Sequence, residues 1–240
     1  MTLMEKPFRF KQFTIQQDRC AMKVGTDGVL LGAWTSLKTQ PNTILDIGAG
    51  TGVIALMLAQ RSTAQTIDAV EIEPNAYEQC VENFEASDWS DRLFCYHSSF
   101  QEFYDEIEEL YELIVTNPPF YSEKVSSGST SRDLARQNQA LPYIDLLLGV
   151  NTLLSKTGSF STIIPYKEEP EFISIAARHH LFPKRMTRVK GTTSAPFKRS
   201  LLEFSKLETA PKISELIIET DRQKYTSDYI ELTKDFYLKM

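Results

Sequence analysis

Three short runs of the 240-residue chain carry residue types that can do chemistry. The first is Asp46-Ile47-Gly48-Ala49-Gly50-Thr51-Gly52, between two apolar stretches. Glycines at 48, 50 and 52 let the backbone turn sharply and approach a ligand closely. A helix opening after them presents unpaired N–H groups and a partial positive charge to an anionic group. Such a loop suits a nucleotide-like cofactor. A dinucleotide fold wants glycine at position 53, where Val53 stands. The second run, Glu71-Ile72-Glu73-Pro74, lies roughly 20 residues on, the spacing at which an acid meets a ribose. A carboxylate at a strand tip accepts both ribose hydroxyl hydrogens. Glu71 is placed for that role, and Glu73 competes for it. The third run is Asn117-Pro118-Pro119-Phe120. An exocyclic amine on a nucleobase is a poor nucleophile, because its lone pair is delocalised into the ring. Two acceptors aimed at its hydrogens favour a pyramidal amine and expose that lone pair. The Asn117 side-chain oxygen is one acceptor and the Pro118 carbonyl is the other. Pro119 keeps residue 118 out of the helical region, so that carbonyl is pre-aimed. Phe120, or Tyr121 beside it, offers a flat apolar face to a base drawn from its stack.

These runs need strands to carry them. Strand signals fall at 43–47, 67–72, 93–96, 113–116 and 160–164, and helix signals at 52–60, 76–86, 142–154 and 168–177. Pro74 suits a first helical turn, and Gly158 reads as the close of the helix before it. Strands alternating with helices predict a doubly wound, Rossmann-like α/β sheet with ligands at the carboxyl ends of its strands. Phe8, Phe10, Phe13 and Ile15 alternate with polar residues around a turn at Lys11 and Gln12, which predicts a small β extension over residues 1–40. Residues 122–140 read as a long loop of the kind that often forms a lid. Beyond Pro183, segments 185–189 and 200–207 predict a closing antiparallel strand pair, and 225–236 a terminal helix. The whole chain reads as one domain, 1–240.

The spacing of Gly48, Gly50 and Gly52 behind Asp46 resembles the cofactor loop of class I S-adenosylmethionine-dependent methyltransferases. Asn117-Pro118-Pro119-Phe120 resembles the motif of amino-methyltransferases acting on adenine, guanine, cytosine or glutamine. The run from Phe8 to Phe13, and that from Met22 through Gly25, Thr26, Asp27, Gly28 and Gly32 to Trp34, resemble the start of the bacterial tRNA1(Val) adenine N6-methyltransferases. This resemblance extends through Leu141, Pro142, Tyr143 and Pro165. It implies S-adenosyl-L-methionine as cofactor, and the adenosine immediately 3′ of the anticodon as substrate. It also implies Thr26 and Asp27 in the cofactor pocket, beside Asp46, Gly48, Gly50, Gly52 and Glu71. An acid usually follows the third strand to meet the cofactor's adenine. Ser99 takes its place here, and its hydroxyl can accept one hydrogen bond. The rivals are an N2-guanine ribosomal RNA methyltransferase, a protein-glutamine methyltransferase, and a non-catalytic RNA binder with this fold.

Composition fits a globular protein: 42% hydrophobic, 24% charged, net charge −6. No apolar run approaches the roughly 20 residues that span a bilayer. Glu5 and Lys6 stand where a signal peptide needs apolar residues, so a cytoplasmic protein is expected. Cys20, Cys80 and Cys95 have no metal-ligand spacing and read as reduced thiols, so no metal is expected. The charge is unevenly distributed. Segment 172–202 has no acid but holds Arg178, Lys184, Arg185, Arg188, Lys190, Lys198 and Arg199. A cationic segment on an anionic body suggests a polyanion on one face. Lys184, Arg185, Arg188, Lys190, Lys198 and Arg199, with Arg132 and Arg136 of the predicted loop, are therefore candidates for tRNA phosphates.

Overall fold

The computed structural model describes residues 6–119 and 141–239. A hairpin of β1 (Phe8–Arg9) and β2 (Thr14–Ile15) comes first, closed by a bond from Phe10 N–H to the Phe13 carbonyl at the expected turn. Five parallel strands follow: β3 (Thr43–Ile47), β4 (Thr66–Glu71), β5 (Leu93–His97), β6 (Tyr111–Thr116) and β7 (Leu154–Pro165). Next come β8 (Phe182–Thr192), β9 (Phe197–Ser205), β10 (Lys212–Asp221) and β11 (Lys224–Tyr225). Among the described residues they form one sheet, ordered β11-β10-β8-β9-β7-β6-β3-β4-β5. Strand order reverses between β3 and β6, which opens a crevice at their carboxyl ends.

The apolar pattern explains why the sheet is covered twice. Ile44, Leu113 and Val115 pack with α1 (Thr26–Trp34) and α2 (Val53–Arg61). α3 (Pro74–Glu85) adds Cys80 and Phe84 to that core. Leu45, Ile47 and Ile114 point the other way, against α4 (Phe100–Glu106), α5 (Tyr143–Leu153) and α6 (Glu169–Arg178). Successive strand residues alternate faces, so strands buried on both sides read as continuous apolar runs. A final helix, α7 (Ser227–Thr233), follows β11.

Two glycines set where α1 lies. A Cβ on Gly28 would sit 3.5 Å from Val53 Cγ1, and one on Gly32 2.7 Å from Met57 Sδ. The bare face lets α1 press against α2, and so seats Thr26 and Asp27 beside the turn that opens α2.

The structure departs from the sequence expectations at several boundaries. Gly158 does not close the helix before it. It lies inside β7, which begins at Leu154 and shifts register opposite the Tyr111–Leu113 stretch. The closing pair β8–β9 is antiparallel as expected, but β10 adds a further strand parallel to β8. The terminal helix is shorter than 225–236, because Lys224 and Tyr225 pair with β10. Helix α4 carries too few apolar residues for its periodicity to show, and Ser99 starts it with a capping box.

Candidate active site

The cofactor loop lies at the tip of β3. Gly48, Gly50 and Gly52 have φ of 72°, 54° and 78°, a left-handed conformation that only glycine adopts without strain. A Cβ on Gly48 or Gly50 would meet nothing within 4 Å, which leaves an open cradle. On Gly52 it would meet Phe84 at 2.6 Å and Cys80 at 2.9 Å, so that glycine serves packing as well. The Gly48 and Ala49 amides both donate to the Val70 carbonyl, at 2.8 and 3.1 Å, tying the loop to β4.

Asp46 supports this loop from below. It is fully buried, and Oδ2 accepts from the Ala55 amide in the first turn of α2 at 3.1 Å. Its Oδ1 has no partner among the described residues. Burial pushes this carboxyl up to about 7, against the opposing pull of the Ala55 bond.

Glu71 and Glu73 divide cleanly. Glu71 is buried at the tip of β4, where Oε2 accepts from the Gly50 amide and Oε1 from the Glu73 amide, each at 2.8 Å. These bonds aim the carboxylate into the cradle, and each oxygen keeps a lone pair for a ribose hydroxyl. Glu73 instead caps α3, accepting from the Ala76 amide at 2.7 Å and from Asn75 at 2.8 Å. Ser99 is also a helix cap: its hydroxyl donates to Glu102 at 2.7 Å and accepts from the Glu102 amide at 3.2 Å. The first of those bonds holds the Glu102 carboxyl below its usual range.

Two buried amides that the sequence reading passed over tie α3 to the segment before α1 and to the glycine loop. Gln79 and Asn83 lie on the buried face of α3. Asn83 donates to the carbonyls of Gln16 and Thr51, both at 2.9 Å, and accepts from the Gln16 amide at 2.8 Å. It thereby joins the strap 16–25 to the glycine loop. Gln79 accepts from the Arg19 amide at 3.0 Å and donates to Asp18 at 2.7 Å. The strap carries Cys20 past Glu71 and Glu73; burial first, then those two carboxylates, pushes its thiol up to about 12. The available signal was two amides four residues apart on a face otherwise made of Ala76, Cys80 and Phe84.

Asn117 follows β6, the neighbour of β3. Thr116, the last residue of β6, donates its hydroxyl to the Ile47 carbonyl at 2.8 Å and so locks the two strand tips together. Asn117 Oδ1 is buried and has no partner among the described residues. Such an atom costs about 1–3 kcal/mol unless something donates to it. Pro118 is buried and Pro119 exposed. Phe120, Tyr121, Arg132 and Arg136 lie outside the described residues.

The cationic segment is brought together only in part. Arg199 on β9 pairs with Pro165 at the tip of β7, and Arg185 pairs with Glu203, four residues further toward the amino edge. Lys190, Lys198 and Arg199 therefore flank the hairpin turn at the carboxyl edge, and Lys184 and Arg185 do not. Arg185 bonds Glu203 at 2.8 Å and stacks 3.6 Å over Trp34, at the far end of α1. Lys184 shares Glu203 at 3.4 Å. Arg188 holds Glu169 at 2.7 Å, Lys190 meets Glu215 at 3.4 Å, and Arg199 bonds Asp27 at 2.8 Å. The last pair joins a cofactor candidate to a phosphate candidate. Lys198 is exposed beside it.

Among the described residues no helix is long and apolar enough to cross a membrane, and no group of three or more His, Cys, Asp or Glu could hold a metal.

The Methyltransferase small domain family model matches residues 27–141, from α1 through the Asn117 motif. The fold is similar to Atu636 from Agrobacterium tumefaciens, a predicted O-methyltransferase (TM-score 0.67, 16% identity, 88% of this chain and 96% of that one). It is also similar to the ribosomal protein L11 methylase of Lactobacillus delbrueckii (TM-score 0.51, 17% identity, 77% of each chain). At the sequence level, tRNA1(Val) (adenine(37)-N6)-methyltransferases are far nearer. That of Christiangramia forsetii is 58% identical over 98% of this chain and 99% of its own. That of Bacteroides fragilis is 44% identical over 99% of this chain and all of its own. With a class I sheet, a glycine cradle and Asn117 at the expected tips, this chain belongs to the tRNA1(Val) (adenine(37)-N6)-methyltransferase family.

Proposed function

We propose that this protein transfers a methyl group from S-adenosyl-L-methionine to N6 of adenosine 37 in tRNA1(Val), in the cytoplasm. The observation that carries the reading is the orphaned Asn117 Oδ1, one strand over from the glycine cradle. Glu71, aimed by the Gly50 and Glu73 amides, would hold the cofactor ribose, and the loop would wrap its amino-acid part. The bound cofactor supplies an activated methyl group, so no strong base is needed.

Asn117 and the Pro118 carbonyl would accept the two hydrogens of the target amine. As the amine turns pyramidal those bonds strengthen, so they act on the transition state more than on binding. Thr116 would hold Asn117 at the right depth through its bond to Ile47. The proton leaves after transfer. Phosphate contacts are proposed for Lys198, exposed at the carboxyl edge, and for Arg199 beside it. Lys184, Arg185 and Arg188, engaged with Glu203 and Glu169, would act chiefly in the fold.

The test is incubation of cellular RNA with labelled cofactor, followed by nucleoside analysis. Label in N6-methyladenosine from a valine tRNA supports the reading. Label in N2-methylguanosine, or in protein glutamine, overturns it.

A further inference from the structure

Two half-buried rings at the carboxyl edge have no part in the chemistry above. Tyr166 follows the end of β7, and Phe197 opens β9. Their centroids are 5.2 Å apart, with planes tilted by 51°. A cation lies over each ring: Arg188 5.5 Å from the Tyr166 centroid, and Lys190 5.1 Å from that of Phe197. Both cations are tethered, Arg188 to the two Glu169 oxygens and Lys190 to Glu215. Core rings nearby, such as Phe172 and Phe204, are fully buried, whereas these two keep part of their surface at the rim.

Strand register relates them to the reaction. Thr116 of β6 pairs with Thr162 of β7. Tyr166, one residue past the end of β7, thus stands three residues further out than Asn117, with backbones roughly 10–12 Å apart by strand rise and spacing. At that separation the rings are within reach of a base that adjoins the target.

We propose that Tyr166 and Phe197 form a stacking platform for a nucleobase next to the methylated adenosine. This rests on the reading of the chain as an RNA methyltransferase. Drawing the target base from its stack leaves its neighbours without a partner face. An aromatic surface replaces that face for any base, and the cations above strengthen it. Because Arg188 and Lys190 already face acids, affinity gained here comes from stacking and carries little salt dependence.

The test measures binding of an anticodon stem-loop RNA to the wild type and to Tyr166→Ala, Phe197→Ala and Phe197→Trp. Each neighbour of the target adenosine is replaced in turn by an abasic residue. Loss of one stacked base weakens binding roughly 5- to 150-fold. Phe197→Ala should lose a factor in that range and Phe197→Trp should recover it, with the salt slope unmoved in both. One abasic position should cost the wild type a similar factor and cost Phe197→Ala almost nothing further. Abasic losses as large in both alanine variants as in the wild type, at both positions, overturn the platform alone. A wild type that fails to methylate intact tRNA1(Val) overturns the functional reading and the platform with it.

Discussion

At the scale of single residues, carboxylates that look alike in sequence do different work because of what lies within hydrogen-bond reach. Glu71 and Glu73 are two positions apart, yet backbone amides aim one at the cradle and the other at a helix end. Glu71→Ala should weaken cofactor binding by roughly 1.5–3 kcal/mol in a calorimetric titration. Glu73→Ala should cost about 1 kcal/mol of folding stability and leave that affinity nearly unchanged. The reverse assignment of losses would exchange their roles. Asp46 gives a pH signature. Its folded value, about 7, lies above the ordinary 3.8, so the folded state holds the proton more tightly. The associated stability is full below pH 4, falls as pH rises toward 7, and is flat above that. Asp46→Asn keeps an acceptor for Ala55 and cannot ionise. Urea midpoints at pH 4.5 and 8 should therefore differ more for the wild type, in the direction of loss at pH 8, than for the variant. Equal differences in the two proteins would refute this.

At the scale of elements, the glycine loop and the strands beneath it were legible in the sequence, because their pattern is local. Gly48, Gly50 and Gly52 stand where the loop takes positive φ, which glycine adopts without strain, and Asn-Pro-Pro stops a strand by its own stereochemistry. The strap was not legible. Its attachment depends on Asn83 meeting Gln16 and Thr51, 67 and 32 residues away in the chain. The cap at Ser99 went unread, although its spacing to Glu102 spells a capping box. Asn83→Ala removes three bonds to backbone groups, two to the strap at Gln16 and one to the loop at Thr51. It should weaken cofactor binding and raise hydrogen exchange at the Gln16 amide, while the salt slope of RNA binding stays the same. Unchanged exchange at Gln16 would show that the strap is held by other means.

At the scale of the whole molecule, the sequence located a cationic segment correctly and could not say which of its charges meet one another. Antiparallel pairing of β8 with β9 spreads that segment along the height of the sheet. Arg185 faces Glu203 and Trp34 toward the amino edge, and Lys198 stands exposed near the hairpin turn at the carboxyl edge. The acids that pair these cations come from outside the segment, from Asp27, Glu169, Glu203 and Glu215, and only the fold brings them there. Lys198→Ala should lower the log–log salt slope of tRNA binding by about one unit. Arg185→Ala should leave the slope alone and lower stability. A lowered slope for Arg185→Ala would place the RNA lower on the sheet than the carboxyl edge.

The central claim is that Asn117 completes its hydrogen bonding only with the amine under attack. Single-turnover methyl transfer with saturating tRNA and cofactor tests it most directly. Losing one pre-organised partner at a reacting centre costs about 10²–10³ in rate. Asn117→Ala should fall by that factor with binding of both ligands intact, and Asn117→Asp, which keeps an acceptor oxygen, should fall less. A wild-type single-turnover rate in Asn117→Ala would contradict the account and leave Asn-Pro-Pro as no more than the end of a strand.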